Sequence, residues 1–288
     1  MRNVGCRTGR FTFHWTRDEN PKQAAYVLHA HEGFELLYVA EGRGNFLVEG
    51  REYPISKGIA MIMRPGEVHR LLVDEESPYE RVCVMFRPEL LQEIDPEGLL
   101  LAPFLRRGLG ERNRYRLSCG EELTELLRSG EASGWEKGCM ELTAQMFLLR
   151  CLFEIRSQQG SRKLSAEPLP LEPILTYINR HLDGELSLGA VAAQFYVSPA
   201  QLNRQMKRSV GTTFWSYVLV KRLLFAKSLL LQGVPAGEAS RRSGFGEYTA
   251  FYRAYKKHFG VSPRSDFHDS PAVFDINGRD NAGDAPEN

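Results

Sequence analysis

Three histidines and a glutamate near the amino terminus have the residue types and spacing of a ligand site. His29 and His31 are two residues apart on a predicted strand and therefore share one of its faces. A hairpin near residues 32–33 could bring Glu35 alongside, and His69 could join from a later strand. Three imidazoles and a carboxylate could bind a divalent transition metal. They could also form a polar cluster at the mouth of an effector pocket or a purely structural hydrogen-bonded set. We favour the effector pocket, and we predict no bound metal and no cofactor.

A second set of residues has the chemistry of nucleic-acid recognition and lies on two predicted helices near the carboxyl terminus. The candidate DNA-binding residues are Ser198, Ala200, Gln201, Asn203, Arg204, Lys207, Tyr248, Thr249, Tyr252, Arg253, Lys256 and Lys257. Arginine can pair with O6 and N7 of guanine, and asparagine or glutamine can pair with adenine. Arg204 and Arg253 are therefore candidate base readers, with phosphate contact as the competing role. The lysines are predicted to bind phosphate.

These helices belong to two copies of one helix-turn-helix pattern. Ser198 is an N-cap candidate for the second helix of the first copy. The predicted buried stripes comprise Val191, Ala192, Phe195, Leu202 and Met206 in the first copy and Phe251, Tyr255 and Phe259 in the second. Between the copies, residues 213–231 predict a helix of roughly 28 Å at 1.5 Å per residue. A rod of that length could place two reading helices in successive major grooves on one face of DNA.

Several short motifs are spread across the two copies and the segment that joins them. They are Ser198-Pro199, Leu202-Asn203-Arg204, Gly211-Thr212-Thr213-Phe214, Gly244-Phe245, Phe251-Tyr252-Arg253, Lys256-Lys257-His258-Phe259-Gly260 and Ser262-Pro263. Over residues 186–263 this pattern resembles the DNA-binding domain of the AraC/XylS family of bacterial transcription regulators. The resemblance implies that the partners are double-stranded promoter or operator DNA, a small-molecule effector, a second copy of the chain and, for an activator, RNA polymerase.

The amino-terminal part of the chain is predicted to be rich in short strands. The predicted strands are 11–15, 25–29, 34–39, 45–49, 59–63, 68–73 and 80–86. Many closely spaced strands indicate a sandwich or closed barrel. The residues His29-Ala30-His31, Glu35, Gly42, Gly58, Pro65-Gly66 and His69 resemble the two motifs of a cupin barrel. The family resemblance implies that this barrel senses a small molecule such as a sugar or a related metabolite.

The predicted fold class is α+β with two domains. Residues 1–157 would form a cupin-like barrel (about 11–87) followed by helices (about 88–157), and 158–170 a linker. Residues 171–268 would form an all-α domain with two helix-turn-helix units, and the acidic tail 269–288 would be disordered. In the helix predicted over 135–157, Leu142, Met146, Leu149 and Phe153 recur every three or four residues. This seam could pack on its own barrel or join two protomers, and we favour a homodimer.

Composition and charge narrow the function classes. The chain has no long apolar run or secretory signal, so we predict no membrane partner and a cytoplasmic location. Its five cysteines have no CxxC spacing, which is typical of reduced thiols. The net charge of +1 conceals an excess of basic residues over 167–268, as phosphate neutralisation requires.

We therefore predict a sequence-specific DNA-binding transcription regulator and not an enzyme. One alternative is a cupin-type metal-dependent enzyme in which His29, His31, Glu35 and His69 hold iron or manganese and the helical part is accessory. Another is a DNA-architectural protein, which would show little sequence preference.

Overall fold

The computed structural model describes residues 2–134, 137–158, 167–168, 171–265 and 273–275. Its strands are β1 Arg2–Arg7, β2 Phe11–Asp18, β3 His29–His31, β4 Phe34–Glu41, β5 Arg43–Val48, β6 Arg51–Ser56, β7 Ile59–Met63, β8 His69–Val73, β9 Tyr79–Phe86, β10 Arg114–Arg116, β11 Glu167–Pro168 and β12 Val273–Asp275. Its helices are α1 Ala102–Leu105, α2 Cys119–Ala132, α3 Lys137–Ser157, α4 Glu172–Arg180, α5 Leu188–Gln194, α6 Pro199–Ser209, α7 Phe214–Leu231, α8 Ala236–Arg242 and α9 Tyr248–Phe259.

The strands form two six-stranded sheets. The first has the order β1-β2-β9-β4-β7-β10 and the second the order β11-β6-β5-β8-β3-β12. Their facing surfaces share a core that includes Leu37 and Val39 of β4, Phe46 of β5 and Tyr53 of β6. The inside of the barrel is therefore filled by bulky side chains.

Strand β4 is buried on both faces because helices cover the outer side of the first sheet. Leu37 and Val39 point into the barrel core, whereas Leu36 and Tyr38 belong to the core beneath the helices. This alternation follows from the two-residue period of a strand. Helix α3 supplies the opposing side chains, among them Phe147, Leu148, Cys151, Leu152 and Ile155.

The helices from α4 onwards enclose two further cores. One joins α4, α5, α6 and the first half of α7, and the other joins the second half of α7 to α8 and α9. The first core also contains Leu28, Ala30 and Val68 of the barrel. The barrel and the helical region are therefore packed against each other through apolar side chains.

The structure confirms the predicted fold class and corrects several local predictions. Strands β1, β6 and β10 were not predicted, and β10 lies in the segment predicted to be helical. The strand expected over 25–29 is replaced by a 3-10 turn at Gln23–Ala25 followed by β3. In the segment predicted to be helical, the residues between β9 and α1 contain only a 3-10 turn, Pro88–Leu90. Short strands occur inside the predicted linker (β11) and the predicted tail (β12). The predictions for 159–166, 169–170 and most of 269–288 lie outside the described residues.

Candidate DNA-binding surface and effector site

Helix α6 begins with a capping box that fixes the turn preceding it. The Ser198 hydroxyl accepts a hydrogen bond from the Gln201 backbone N–H, and the Gln201 side chain accepts one from the Ser198 N–H. Leu202 and Met206 are fully buried, which leaves Arg204 and Lys207 on the exposed side. The predicted N-cap at Ser198 is confirmed. The capping box also gives Gln201 a structural role, which its spacing alone did not indicate.

Helix α9 repeats this arrangement in the second copy. Phe251, Tyr255 and Phe259 are buried, as predicted, and they pack on one another and on α7. The opposite face exposes the predicted hydroxyls and cations, namely Tyr248, Thr249, Tyr252, Arg253, Lys256 and Lys257. Gly260 ends the helix in the left-handed conformation.

The turn before α9 requires glycine at Gly244. Its φ is +80°, and an added Cβ would lie 2.2 Å from the carbonyl oxygen of Leu182. Arg222 of α7 donates hydrogen bonds to the carbonyls of Leu182 and Gly184, which ties the spacer helix to the loop before α5. The second helix-turn-helix is thereby anchored to the first.

Helix α7 runs without interruption between the first helix-turn-helix unit, which ends with α6, and the second, which consists of α8 and α9. It spans 18 residues, which corresponds to roughly 27 Å. The Thr213 hydroxyl caps its first turn.

Asn203 departs from the role predicted for it. Its side-chain oxygen accepts a hydrogen bond from the backbone N–H of Phe214, and the residue is half-buried. The amide therefore joins α6 to α7, which weakens the prediction that it pairs with adenine. The exposed predicted residues of the first copy are Ser198, Ala200, Gln201, Arg204 and Lys207. Arg208 and Arg241 are further exposed cations that the predicted set omitted, although both follow directly from the basic sequence around the two copies.

The predicted histidine cluster is assembled at one end of the barrel. His29 and His69 face each other across β3 and β8, and His31 lies on the same face of β3. His31 Nε2 and His69 Nε2 lie 3.0 Å and 3.1 Å from the same oxygen of Glu35. Cys83, which was not predicted, donates to the other Glu35 oxygen at 3.0 Å.

Burial and mutual contact set the charges in this cluster. Burial lowers the pKa of His29 and His31, with His69 adding to the effect. At His69, burial also opposes protonation, but Glu35 outweighs it and raises the pKa. Burial disfavours the Glu35 carboxylate as well, yet the two imidazoles beside it hold its pKa well below the usual value.

A cavity of about 470 Å³ lies between the barrel and the helical region. Its barrel side includes His31, Glu32 and Gly66, and its helical side includes Leu224 and Phe225 of α7. Of the four predicted effector-pocket residues, His31 lines this cavity, while His29, Glu35 and His69 lie behind it. Sequence periodicity gives no signal for a cleft between two domains.

A buried polar network beside this cavity joins the two domains. The Glu49 carboxylate of the barrel accepts hydrogen bonds from Lys221 Nζ at 2.6 Å, from the Tyr217 hydroxyl at 2.5 Å and from Asn179 at 3.2 Å. Burial and the neighbouring carboxylate raise the pKa of Tyr217 well above its usual value, so its hydroxyl remains a donor. Lys227 of α7 forms a second buried ion pair with Glu32.

Within the described ranges, no helix is both long enough and apolar enough to cross a membrane.

Sequence comparison gives matches in both halves of the chain. Residues 17–138 match an AraC-like ligand binding domain, and residues 191–267 match a helix-turn-helix domain. The HTH-type transcriptional activator RhaS of Klebsiella pneumoniae is 24% identical over 245 residues, which cover 84% of this chain and 87% of the relative. RhaS of Escherichia coli is 25% identical with the same coverage.

Comparison with solved structures gives two further likenesses. The C-terminal domain of AraT from Geobacillus stearothermophilus is 32% identical, covers 34% of this chain and 82% of that one, and has a TM-score of 0.33. ToxT from Vibrio cholerae with a bound unsaturated fatty acid is 12% identical, covers 94% of this chain and 98% of that one, and has a TM-score of 0.38. The helix-turn-helix match agrees with the helical region described above, and the ligand-binding-domain match covers most of the barrel. Together with the RhaS relatives, these matches show that the chain belongs to the AraC/XylS family of DNA-binding transcription regulators.

Proposed function

We propose that this regulator reads two successive major grooves with α6 and α9 and responds to a small molecule bound between its domains. The observation that supports this proposal is the placement of two exposed cationic helix faces at opposite ends of one unbroken spacer, α7. The helix length of roughly 27 Å is of the order of the 34 Å between successive major grooves. In this proposal the protein has no enzymatic activity.

Arg204 and Arg253 are the proposed base readers. Both are exposed, and neither forms an ion pair with a carboxylate among the residues that the structure describes. A bidentate pair between arginine and guanine contributes about 1–3 kcal/mol of discrimination. Lys207, Lys256 and Lys257 are proposed to contact phosphate, which fixes the register of the two helices on the duplex.

Binding measured on the selected operator and on scrambled DNA separates these roles. Arg204→Ala should weaken operator binding by about 1–3 kcal/mol and relax preference at one base pair. Lys207→Ala should weaken binding to both DNAs equally and reduce the salt dependence. Arg106→Ala removes an exposed guanidinium of the barrel-associated region and serves as the control. Equal loss on both DNAs for Arg204→Ala would refute its base-reading role.

The cleft between the domains is the proposed effector site. The barrel interior is filled by its own side chains, whereas the cleft offers about 470 Å³ beside α7. A molecule bound there would contact both domains and so could favour one of their relative arrangements. His31 remains part of the proposed site, and its three partners support the wall behind it.

Filling the cleft tests this location. Sugars and related metabolites would be screened for a thermal shift of the full chain and then for a change in operator affinity. Ser228→Trp places a large ring in the cleft from an exposed position of α7 and should abolish both responses. Ser129→Trp, an exposed serine of α2 that hydrogen-bonds its own helix, is the matched control. A compound that still gives the thermal shift and the change in operator affinity in Ser228→Trp binds elsewhere.

We further propose that α3 joins two protomers. The helix packs one face on the barrel, while Leu142, Met146 and Phe153 remain 68%, 44% and 60% exposed on the other. These are three of the four residues of the seam predicted from the sequence; the fourth, Leu149, is partly buried against the core beneath α3. A second copy could cover the exposed face with the same residues. The named relatives are activators; by extension we propose that this protein contacts RNA polymerase and activates transcription.

Light scattering of the purified chain tests the dimer. Leu142→Glu and Phe153→Glu should each convert dimer to monomer, because a charge would be buried in an apolar seam. Ile94→Glu alters an equally exposed apolar side chain outside α3 and should leave the dimer intact. A wild-type chain that is monomeric at micromolar concentration would contradict the proposal.

A further inference from the structure

We propose that Tyr196 is an additional DNA contact, which donates a hydrogen bond to a backbone phosphate beside the groove that α6 enters. This inference rests on the proposed function, because it takes α6 as a reading helix. Tyr196 lies in the turn between α5 and α6, and its side chain is almost entirely exposed. Its backbone conformation and its exposure together indicate that the side chain serves a purpose outside the fold.

The turn between α5 and α6 requires a left-handed residue at position 196. The Tyr196 N–H donates to the Ala193 carbonyl, and the Val197 N–H donates to the Ala192 carbonyl. These two hydrogen bonds close a Schellman motif, in which the residue after the helix cap adopts a positive φ. The φ of Tyr196 is +54°. A Cβ is disfavoured in this conformation, so glycine is the residue that usually occupies it.

The second helix-turn-helix makes the same turn with glycine in this place. The Gly244 N–H donates to the Arg241 carbonyl, and the Phe245 N–H donates to the Ser240 carbonyl. The φ of Gly244 is +80°. Tyr196 therefore carries a conformational cost that the equivalent residue of the other copy avoids.

The side chain of Tyr196 does not offset this cost within the fold. The other non-glycine residues with a positive φ in the described ranges are Glu49 and Arg112. Both use their side chains inside the protein: Glu49 accepts hydrogen bonds from α7, and the Arg112 guanidinium donates to the Arg106 carbonyl at 2.6 Å. The Tyr196 side chain, in contrast, is 97% exposed. Because strained backbone is concentrated at functional sites, the exposed ring indicates a partner outside the chain.

The position of Tyr196 favours DNA as that partner. Tyr196 precedes Ser198, the N-cap of α6, by two residues. A recognition helix contacts base edges with its N-terminal residues, so the turn before it lies near the phosphates that border the groove. Tyrosine hydroxyls are among the side-chain groups that donate to phosphate oxygens. Residues 195–198 contain no cation, so the proposed contact is a hydrogen bond from a neutral donor and not an ion pair.

Binding of the full chain to its selected operator and to scrambled DNA, measured by fluorescence anisotropy at several salt concentrations, tests this contact. Tyr196→Phe keeps the ring and the backbone conformation but removes the donor, and it should weaken binding to both DNAs by about 3- to 10-fold. The loss should be the same at every salt concentration, because a neutral donor releases no counterion. Lys207→Ala is the matched comparison, since it should reduce the salt dependence itself.

Tyr196→Gly separates the DNA contact from folding. Glycine removes the strain of the left-handed conformation, so the melting temperature should rise by about 2–4 °C. Operator affinity should nevertheless fall at least as far as in Tyr196→Phe. A purely structural residue would not move stability and affinity in opposite directions. Arg112→Gly changes a positive-φ residue outside the DNA-binding region and should leave operator affinity unchanged.

Single methylphosphonate linkages, which are neutral, locate the phosphate in the operator. At one position beside the groove that α6 enters, this change should weaken binding of the wild type and weaken Tyr196→Phe no further. Operator affinity that is unchanged in both Tyr196 variants, while Lys207→Ala binds more weakly, would overturn this inference and leave the proposed function intact. Unchanged operator affinity with weaker binding to RNA polymerase would also overturn it and assign the ring to that protein. If Lys207→Ala and Arg204→Ala also have no effect, the proposed function fails, and this inference fails with it.

Discussion

The buried pair between Glu49 and Lys221 should be a main determinant of how the DNA-binding domain docks on the barrel. Glu49 is 4% exposed and Lys221 is 7% exposed, and they lie 172 residues apart in the chain. Glu49→Gln keeps the shape of the side chain and its capacity to accept from Tyr217. It removes the negative charge and replaces one carboxylate oxygen by an amide nitrogen, which donates. With the remaining oxygen toward Tyr217, the Lys221 ammonium keeps only the carbonyl of Gly66 as a described acceptor.

The expected cost follows from this burial. Removing one partner of a buried ion pair destabilises a protein by about 3–5 kcal/mol, because the other charge stays buried without compensation. Lys221→Met should have a similar cost, since Glu49 then loses its only cationic partner in the described structure. The double variant removes both charges, so its cost should be smaller than the sum of the two, with a coupling energy of about 2–3 kcal/mol.

Urea unfolding of the full chain, monitored by circular dichroism, measures the free energies of unfolding of the wild type, the two single variants and the double variant. Lys57→Met is the matched control, because its pair with Glu121 is exposed and should contribute less than about 1 kcal/mol. Additive effects of the two single changes would refute the reasoning. A loss of less than about 1 kcal/mol in the free energy of unfolding for either single variant would also refute it.

Two further predictions concern other parts of the fold. Gly244→Ala should destabilise the second helix-turn-helix by more than the roughly 1–2 kcal/mol of the left-handed conformation, because the new Cβ also meets the Leu182 carbonyl; Gly246→Ala, with open space around it, is the control in thermal melts. Burial opposes ionisation of Glu80, but hydrogen bonds from Arg128, Trp15 and Arg17 together outweigh burial and lower the pKa of Glu80 below its usual value. Its stabilising contribution is therefore complete above the unfolded pKa, about 4.3, and is lost as pH falls through the lower folded value. In Glu80→Gln, the free energy of unfolding should fall less steeply as the pH is lowered through this range. An unchanged slope would contradict this assignment.

The helices of the DNA-binding region were predictable because their signals are local. Ser198 and Pro199 mark the start of α6, and the spacing of Phe251, Tyr255 and Phe259 marks the buried face of α9. The outcome for Asn203 shows the limit of such reasoning. Its side chain is used by Phe214, the first residue of the next helix, and a face assigned within one helix cannot include that contact.

The missed strands and the domain interface have different physical causes. Strand β6 contains Arg51, Glu52 and Pro54, and most of it is not buried, so it lacks the apolar alternation of a half-buried strand. The histidine cluster was predictable in membership because two of its members share one strand face. The cleft beside it was not predictable, because its walls come from the barrel, from the end of α4 and from α7, and the contact between them depends on the tertiary packing.

The spacing of the two DNA contacts tests the central claim most directly. Hydroxyl-radical footprinting of the full chain on its selected operator should show two protected segments about 10.5 base pairs apart on one face of the duplex, one for each reading helix. Arg204→Ala should weaken one segment and Arg253→Ala the other. A single protected segment, or two segments on opposite faces, would contradict the account in which α7 sets both helices into successive major grooves.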